Sequence, residues 1–272
     1  MVLRSAEKLQ RGLLLGSKYC LQRFSTQPAD RLTVFVAGVQ RSGTNMMMDV
    51  LERSYQTDVF HERDERAFAN YLMRPSSVIR GLYEQSKASH FVIKSLCELQ
   101  DLSRLMSEFS PAKAVWVVRN YEDVVNSMLV SFNNHAKQVP RIARDRHSDG
   151  WRGEGMSDAT HALVRRFASE DLDDASAAAL IWYFRNVLFF EQGFDRAPTV
   201  ILVPYERLVT EPEQEFRRVF EFLGLAYSPR VNAKVFPSSI RKREPPPIDP
   251  GIRQLCDDLT ARFEILAARG RR

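Results

Sequence analysis

The chain has 272 residues, of which 44% are hydrophobic and 27% charged, so bulk composition excludes an intrinsically disordered protein. No stretch reaches about 18 consecutive apolar residues, and we predict no membrane-spanning helix. The net charge of +5 and the pI near 9.2 favour anionic ligands, but no long Lys/Arg run of the nucleic-acid-binding kind is present. Cys20, Cys97 and Cys256 lie far apart without metal-ligand spacing, which predicts reduced thiols, no metal site and a cytoplasmic protein.

Residues 1–30 form a basic extension that we predict to be helical. Its apolar stretch "GLLLG" is too short for a secretory signal peptide. Two interpretations remain open. One is a packed leading helix, which we favour; the other is a mitochondrial-type presequence or a helix on a membrane surface.

From Thr33 onwards, short apolar runs alternate with amphipathic segments. We predict strands at 33–37, 91–94, 114–118 and 200–203, and a weaker one at 57–60. The intervening segments have helical spacing, and the one over 211–224 ends at Gly224, where a C-cap glycine is expected. The pattern predicts one α/β domain over residues 31–272, with three layers and a mostly parallel β-sheet flanked by helices.

Two longer segments depart from this simple alternation. The run "AAALIWYFRNVLFFEQG" is a predicted core helix with one apolar face formed by Leu180, Ile181, Phe184, Val187 and Leu188. In residues 140–174 the apolar residues no longer recur at regular helical or strand spacing, and arginine is frequent. This pattern favours an irregular substrate lid over a solvated loop with a charged helix. Trp151 and Arg152, near its centre, are candidate acceptor contacts.

The loop after the first strand reads "GVQRSGTN". A strand, a glycine-bearing turn and a helix N-terminus together present backbone N–H groups to an anion. The spacing from Gly38 to Gly43 matches the start of an ATP-binding Walker A loop, but Thr44 stands where that loop requires lysine. Arg41 lies inside the loop instead, so the sequence predicts a phosphate-type ligand held without the ATP-binding lysine.

Two further basic clusters follow later in the chain. In "VVRNYEDVVNSML", Arg119 leaves the end of a strand and Ser127 lies about two helical turns beyond it, which predicts a second anion site. The third cluster is "SSIRKRE", which contains Arg241 and Lys242 and precedes a proline run that predicts a stiff loop. Three separated clusters favour a ligand with more than one anionic group.

These segments resemble motifs of the sulfotransferases that use 3′-phosphoadenosine 5′-phosphosulfate (PAPS). "GVQRSGTN" resembles their 5′-phosphosulfate loop, "VVRNYEDVVNS" their 3′-phosphate motif, "VPYERLVTEP" a segment whose tyrosine lies beside adenine, and "RKRE" their late basic loop. The resemblance spans roughly residues 33–245 in the right order. It implies a P-loop NTPase-like sulfotransferase fold, with PAPS as cosubstrate, 3′,5′-bisphosphoadenosine (PAP) as product and no metal.

The resemblance also implies roles for individual residues. Lys94 matches a lysine close to the transferring sulfuryl group, and Tyr205 would contact adenine. Arg41 stands where cytosolic members carry lysine, and Asn45 replaces their second threonine. The implied donor-binding residues are Gly38, Arg41, Ser42, Gly43, Thr44, Asn45, Arg119, Ser127, Tyr205, Arg241 and Lys242.

The resemblance leaves more than one candidate for the catalytic base. Cytosolic phenol and steroid enzymes place a histidine two residues after the strand lysine, where this chain has Leu96. Carbohydrate and tyrosyl-protein sulfotransferases use a glutamate after the second strand, and we favour Glu62 in that place. His61 and Glu65 remain alternatives. Lys94 and Arg41 are predicted to stabilise the charge that develops on the bridging oxygen.

By analogy with the members of this family that use a glutamate, the resemblance implies a carbohydrate, glycolipid or other alcohol acceptor rather than a phenol. His61, Glu62, Trp151 and Arg152 are the predicted acceptor-side residues. Two other functions remain open, a P-loop nucleotide kinase and a nucleotide-binding regulatory module without catalysis. No nucleic acid partner is expected.

Overall fold

The computed structural model describes residues 12, 16–18, 20, 22, 31–233, 235 and 240–270. Most of the predicted N-terminal extension therefore lies outside the described residues, as do Ser238 and Ser239 of the third basic cluster. The six residues described within the first thirty are all helical. Among the described residues, no helix is both long and apolar enough to cross a membrane.

Five of the strands build one parallel sheet. They are β1 (Leu32–Ala37), β2 (Thr57–Phe60), β5 (His90–Ser95), β6 (Ala112–Val118) and β7 (Val200–Pro204). Their order across the sheet is β2-β5-β1-β6-β7, and every neighbouring pair is parallel. Two short strands, β3 (Phe68–Ala69) and β4 (Leu72–Met73), form a separate antiparallel hairpin. All five predicted strands are confirmed, including the weak one at 57–60.

Helices connect the strands and continue beyond the last one. The α-helices are α1 (Thr44–Glu52), α2 (Ser76–Gln85), α3 (Leu102–Glu108), α4 (Tyr121–Ser131), α5 (His135–Arg144), α6 (Asp158–Phe167), α7 (Asp174–Glu191), α8 (Tyr205–Thr210), α9 (Pro212–Leu223) and α10 (Pro250–Arg269). Gly224 ends α9 with a φ of 78°, as the sequence predicts for a C-cap glycine.

Both faces of the sheet are covered, because successive side chains of a strand point to opposite sides. On β1, Phe35 and Ala37 pack into one hydrophobic cluster, whereas Val34 and Val36 pack into another. The first cluster includes residues of α2, α3, α4 and α7, and the second includes residues of α1 and α9. The three-layer α/β fold is therefore confirmed.

The connections leave a crevice at the carboxyl ends of the central strands. The helix that follows β1 packs on one face of the sheet, whereas the helix that follows β5, its neighbour, packs on the other. Ligands of open α/β sheets bind at such a switch point. Gly38 and Lys94 mark the two strand ends, so this topology brings two predicted site segments together.

The core helix is confirmed as α7, and its predicted apolar face is buried. In contrast, the prediction that residues 140–174 are irregular is wrong over much of their length. α5 continues to Arg144 with Pro140 inside it, and α6 occupies Asp158–Phe167. Ser157 caps α6, because its Oγ accepts a hydrogen bond of 3.1 Å from the Thr160 N–H.

Candidate active site

The loop between β1 and α1 has the backbone of an anion-binding turn. Arg41 and Gly43 adopt left-handed φ values of 69° and 98°. Turns of this kind aim successive N–H groups at one point, and the start of α1 adds positive potential there. Ser42 is fully buried, and its Oγ has no hydrogen-bond partner among the described residues. Since a buried hydroxyl without a partner is costly, an anionic oxygen in the loop fits this site.

Substitution of Gly43 by alanine is expected to destabilise the fold by about 1–3 kcal/mol. The added Cβ would lie 2.2 Å from the Tyr205 ring, at a φ that side chains rarely adopt. Urea denaturation measures the effect. The matched control is Gly81→Ala in α2, where the new Cβ meets no atom within 4 Å apart from its chain neighbours and its own helix backbone, and stability should rise by about 0.5–1 kcal/mol. Equal stability of Gly43→Ala and the wild type would contradict the tight packing of this turn.

The three predicted basic clusters meet beside this loop. Arg41 Nε donates to Ser127 Oγ over 2.7 Å. Arg119 Nη1 donates to the Arg41 carbonyl oxygen over 3.3 Å, and Arg119 Nη2 lies 3.6 Å from Asp123 Oδ2. The Arg241 backbone N–H donates to the same Asp123 carboxylate over 3.1 Å. Asp123, which the sequence analysis missed, therefore joins the second cluster to the third.

The tyrosine predicted beside adenine lies at the edge of the same cluster. The Tyr205 ring packs against Gly43 on one side and has the Arg119 guanidinium 4.5 Å from its centroid. Only 7% of the residue is exposed. The ring thus supports the anion loop, and its contact with adenine stays a prediction. Lys242, the next basic residue after Arg241, is exposed at the surface.

A buried lysine and a glutamate form an ion pair where β2 and β5 end. Lys94 is 1% exposed, and its Nζ donates to Glu62 Oε2 over 2.5 Å and to Asn45 Oδ1 over 2.7 Å. Burial lowers the pKa of Lys94, and the Glu62 carboxylate limits this decrease. The Glu62 side chain keeps 18% of its surface exposed. A buried cation and an accessible carboxylate in contact are the groups that an acid–base transfer site requires.

The two alternative bases lie in different surroundings. His61 Nε2 is 3.2 Å from Glu52 Oε1, so its ring is oriented by a carboxylate of α1. Glu65 is exposed, and its backbone carbonyl accepts a hydrogen bond from Arg74. Of the three candidates, Glu62 is the one that contacts Lys94.

Glu62 also opens onto a large groove along the edge strand β2. Its volume is about 1160 Å³. The groove is lined by His61 and Asn45 of the predicted site, and by acidic residues of α1, Asp49 and Glu52, that the sequence analysis missed. The sequence carried a partial signal for them, because charged residues recur along α1 between its buried apolar ones.

The predicted lid packs close to the active site but does not line this groove. Arg185 of α7 is 1% exposed and donates to the Trp151 carbonyl over 2.8 Å and to Gln100 Oε1 over 3.0 Å. Burial lowers the pKa of Arg185 to about 10. The sequence analysis missed Arg185, although a charged residue inside the apolar run of α7 could have indicated a buried polar contact. Arg185 links Trp151 and its neighbour Arg152 to the turn that follows β5.

Among the described residues, no group of three or more His, Cys, Asp or Glu side chains is placed to hold a metal ion. All three cysteines are free thiols. Cys97 is buried close to the lid, and burial together with the Glu98 carboxylate raises its pKa to about 12. This thiol is therefore not a nucleophile at neutral pH.

Comparison with known proteins supports the same interpretation of the loop and strand ends. A family model described as a sulfotransferase domain matches residues 32–241. The chain belongs to the sulfotransferase family. The match covers the anion loop, the Lys94–Glu62 pair and the Arg119 cluster, so the resemblance predicted from the motifs is confirmed.

A curated relative of this sulfotransferase is a putative protein-tyrosine sulfotransferase of Caenorhabditis briggsae. It is 22% identical over 213 residues, which cover 73% of this chain and 67% of the relative. Two solved structures share the fold. The sulfotransferase domain of the curacin biosynthetic pathway has a TM-score of 0.53 at 12% identity, covering 86% of this chain and 99% of that domain. The sulfotransferase domain of the Synechococcus PCC 7002 olefin synthase has a TM-score of 0.51 at 14% identity, and the match covers 87% of this chain and 98% of that domain.

Proposed function

We propose that this sulfotransferase transfers the sulfuryl group of PAPS to an acceptor hydroxyl, with Glu62 as the base. The observation that carries the proposal is the contact of Glu62 with the buried Lys94 ammonium at the switch point of the sheet. A purely nucleotide-binding module has no need of this pair. The kinase alternative is not favoured by any contact, since Thr44 occupies the position of the ATP-binding lysine.

The donor site would be formed by the three basic clusters. The loop from Gly38 to Asn45 would hold the 5′-phosphosulfate, because its turn and its buried Ser42 hydroxyl suit an anionic group. Arg119 and Ser127 would hold the 3′-phosphate, joined by Arg241 and Lys242. The hydrogen bond between Arg41 and Ser127 supports one continuous site rather than two.

In the transfer itself, the acceptor hydroxyl loses its proton to Glu62, and its oxygen bonds to the sulfur. The bond between sulfur and the bridging phosphate oxygen breaks, and PAP leaves with the electron pair. Negative charge grows on that bridging oxygen, so Lys94 and Arg41 would stabilise it. Asn45 keeps the Lys94 ammonium in place through its side-chain oxygen. Positioning and charge supply the catalysis, as in phosphoryl transfer.

The acceptor is proposed to be an alcohol, either a carbohydrate, a glycolipid or another non-phenolic compound. A tyrosine hydroxyl, suggested by the name of the Caenorhabditis briggsae relative, is the competing acceptor. The polar character of the groove beside Glu62 favours the alcohol, because apolar Val59, Phe60 and Leu82 are outnumbered there by charged and amide side chains.

Thermal unfolding with PAP, compared with ATP and Mg²⁺, tests the donor assignment. At a hundred times its Kd, PAP should stabilise the protein by about 2.7 kcal/mol. For a domain of this size, each kcal/mol raises Tm by about 2–4 °C, so the expected rise is about 5–10 °C. Stabilisation by ATP with Mg²⁺ and not by PAP would overturn the proposal and support a kinase.

A further inference from the structure

One face of α4 carries two pairs of polar residues. Arg119, just before the helix, and Ser127 belong to the proposed 3′-phosphate site. Asp123 and Asn126 lie on the same face, because residues three and four positions apart are neighbours on a helix. Both of these side chains contact one segment, residues 241–246, which contains the basic residues of the third cluster. The proposed transfer gives neither of them a role.

The backbone of this segment is bonded to α4 at two points. The Arg241 N–H donates to both carboxylate oxygens of Asp123, over 3.1 and 3.2 Å. Three residues further along the segment, the Glu244 carbonyl oxygen accepts a hydrogen bond of 3.1 Å from Asn126 Nδ2. Both bonds use main-chain atoms of the segment. They therefore fix its path without using the side chains of Arg241 and Lys242, which are exposed.

Arg241 needs this support, because its backbone conformation is unfavourable. Its φ of 46° lies in the left-handed region, which a residue with a side chain adopts only when its surroundings hold it there. A hydrogen bond from an N–H to a carboxylate is stronger than one between neutral groups, so Asp123 can hold this conformation. Asp123 is itself 8% exposed, and its Oδ2 lies 3.6 Å from Arg119 Nη2. The carboxylate thus keeps the Arg241 backbone beside the Arg119 guanidinium.

The far end of the segment is fixed by other contacts. Arg253 of α10 donates through Nη2 to the Pro246 carbonyl oxygen over 2.9 Å, and through Nη1 to Glu122 Oε1 of α4 over 2.6 Å. Pro246 is also buried. Loss of the Asp123 or Asn126 contact should therefore loosen the basic part of the segment, residues 241–244, and leave its end in place.

We propose that Asp123 and Asn126 are positioning residues for the donor, which hold residues 241–244 on α4 so that Arg241 and Lys242 meet the 3′-phosphate. The inference rests on the proposed function and deepens it. Part of the preference for a 3′-phosphorylated nucleotide then depends on two side chains that act on the segment and not on the phosphate itself.

The negative charge of Asp123 opposes phosphate binding but does not outweigh the effect of positioning. Arg119, Arg241 and Lys242 bring three positive charges to the surroundings of this one carboxylate, so the local charge stays positive. An asparagine at position 123 would keep an oxygen acceptor for the Arg241 N–H and remove the negative charge. The two effects can therefore be separated by substitution.

The test compares PAP with adenosine 5′-monophosphate (AMP), which lacks the 3′-phosphate, by titration calorimetry of the intact protein. In Asp123→Ala, PAP affinity should fall about tenfold, the effect of roughly one lost hydrogen bond to a charged group. In Asn126→Ala the fall should be about threefold, because this contact is exposed. AMP affinity should stay within about twofold in both variants, since AMP lacks the group that the segment meets. Asp123→Asn should recover most of the lost PAP affinity.

Matched controls come from α10. Gln254 and Asp258 are exposed and bond to each other within this helix, over 2.8 Å. Gln254→Ala and Asp258→Ala remove the same kinds of side chain as the two test variants without touching residues 241–246. Both controls should bind PAP and AMP like the wild type.

The outcomes separate this inference from the proposed function. Wild-type PAP affinity in both Asp123→Ala and Asn126→Ala would overturn the positioning role. An equal loss of PAP and AMP affinity would overturn it too, because a general disturbance of the fold does not distinguish the two nucleotides. If Asp123→Asn binds PAP as weakly as Asp123→Ala, the bond to the Arg241 N–H is not the cause. A wild type that binds AMP as tightly as PAP contradicts instead the donor assigned in the proposed function.

Discussion

Replacement of Lys94 by methionine is expected to lower kcat by about 10²–10³-fold, the effect of removing one preorganised charge from a transfer site. Methionine preserves much of the side-chain volume, so the loss reports on charge rather than on packing. Affinity for PAP should change little, because Arg41, Ser127 and Arg119 retain their mutual contacts. Steady-state kinetics with radiolabelled PAPS, together with calorimetric titration of PAP, measures both quantities.

The pH dependence provides a second measurement of the same residue. Burial lowers the pKa of Lys94 below the 10.5 of an ordinary lysine. Since the proposed transfer needs the charged ammonium, wild-type activity should decline on the alkaline side before an unperturbed lysine would lose its proton. The methionine variant should lack that decline.

The control for Lys94→Met is Lys137→Met, an exposed lysine of α5, which should keep wild-type kinetics. A Lys94 variant with wild-type kcat would remove the ammonium from the mechanism. If the variant also loses more than about tenfold in PAP affinity, Lys94 instead binds the donor in the ground state. An interaction that is equally strong in the ground state and the transition state changes the affinity and not the rate of the chemical step.

The sheet was predictable because each of its strands is a short apolar run that the neighbouring helices must cover. Even β2 was identified, although two of its four residues are only partly buried. The anion loop was predictable for a related reason, since a strand, a glycine turn and a helix start are consecutive in sequence. Both predictions rest on strong patterns within a few adjacent residues, which is where sequence-based assignment is most informative.

The error at residues 140–174 also has a local cause. The arginines and glycines of this segment suggested a loop, whereas the N-cap Ser157 and the buried face of Thr160, His161 and Val164 form α6. The apolar face of this helix is narrow, so a pattern search for apolar residues alone gives it little weight. Capping chemistry, rather than hydrophobic period, was the informative signal.

The groove could not be predicted from sequence patterns. Lys18 and Gln22 reach it across more than thirty residues of chain, and their partners are backbone carbonyl oxygens, which every residue possesses. Arg185 illustrates the same limit, because it bonds to the Trp151 carbonyl from the middle of a core helix. Contacts between a side chain and a distant backbone leave no motif in either segment.

Replacement of Glu62 by glutamine is expected to lower kcat by about 10²–10⁴-fold, the usual contribution of a general base. Glutamine keeps the size and a hydrogen-bond acceptor for the Lys94 ammonium, but it is not a base near neutral pH. Affinity for PAP should remain close to that of the wild type, since Glu62 contacts Lys94 rather than the basic clusters. Single-turnover quench-flow measurements of sulfuryl transfer report on the chemical step directly.

Two matched variants decide between Glu62 and its neighbours. Glu65→Gln removes an exposed carboxylate three residues further along the chain, and it should leave transfer unchanged. His61→Gln keeps a polar partner for Glu52, so only a modest loss is expected if His61 merely orients the wall of the groove. A wild-type rate in Glu62→Gln, together with a large loss in either of the other two, would move the base to that residue. The Lys94–Glu62 contact would then be structural. If the rate does not change when Glu62 loses its charge, the ion pair joins the turn after β2 to β5 and transfers no proton.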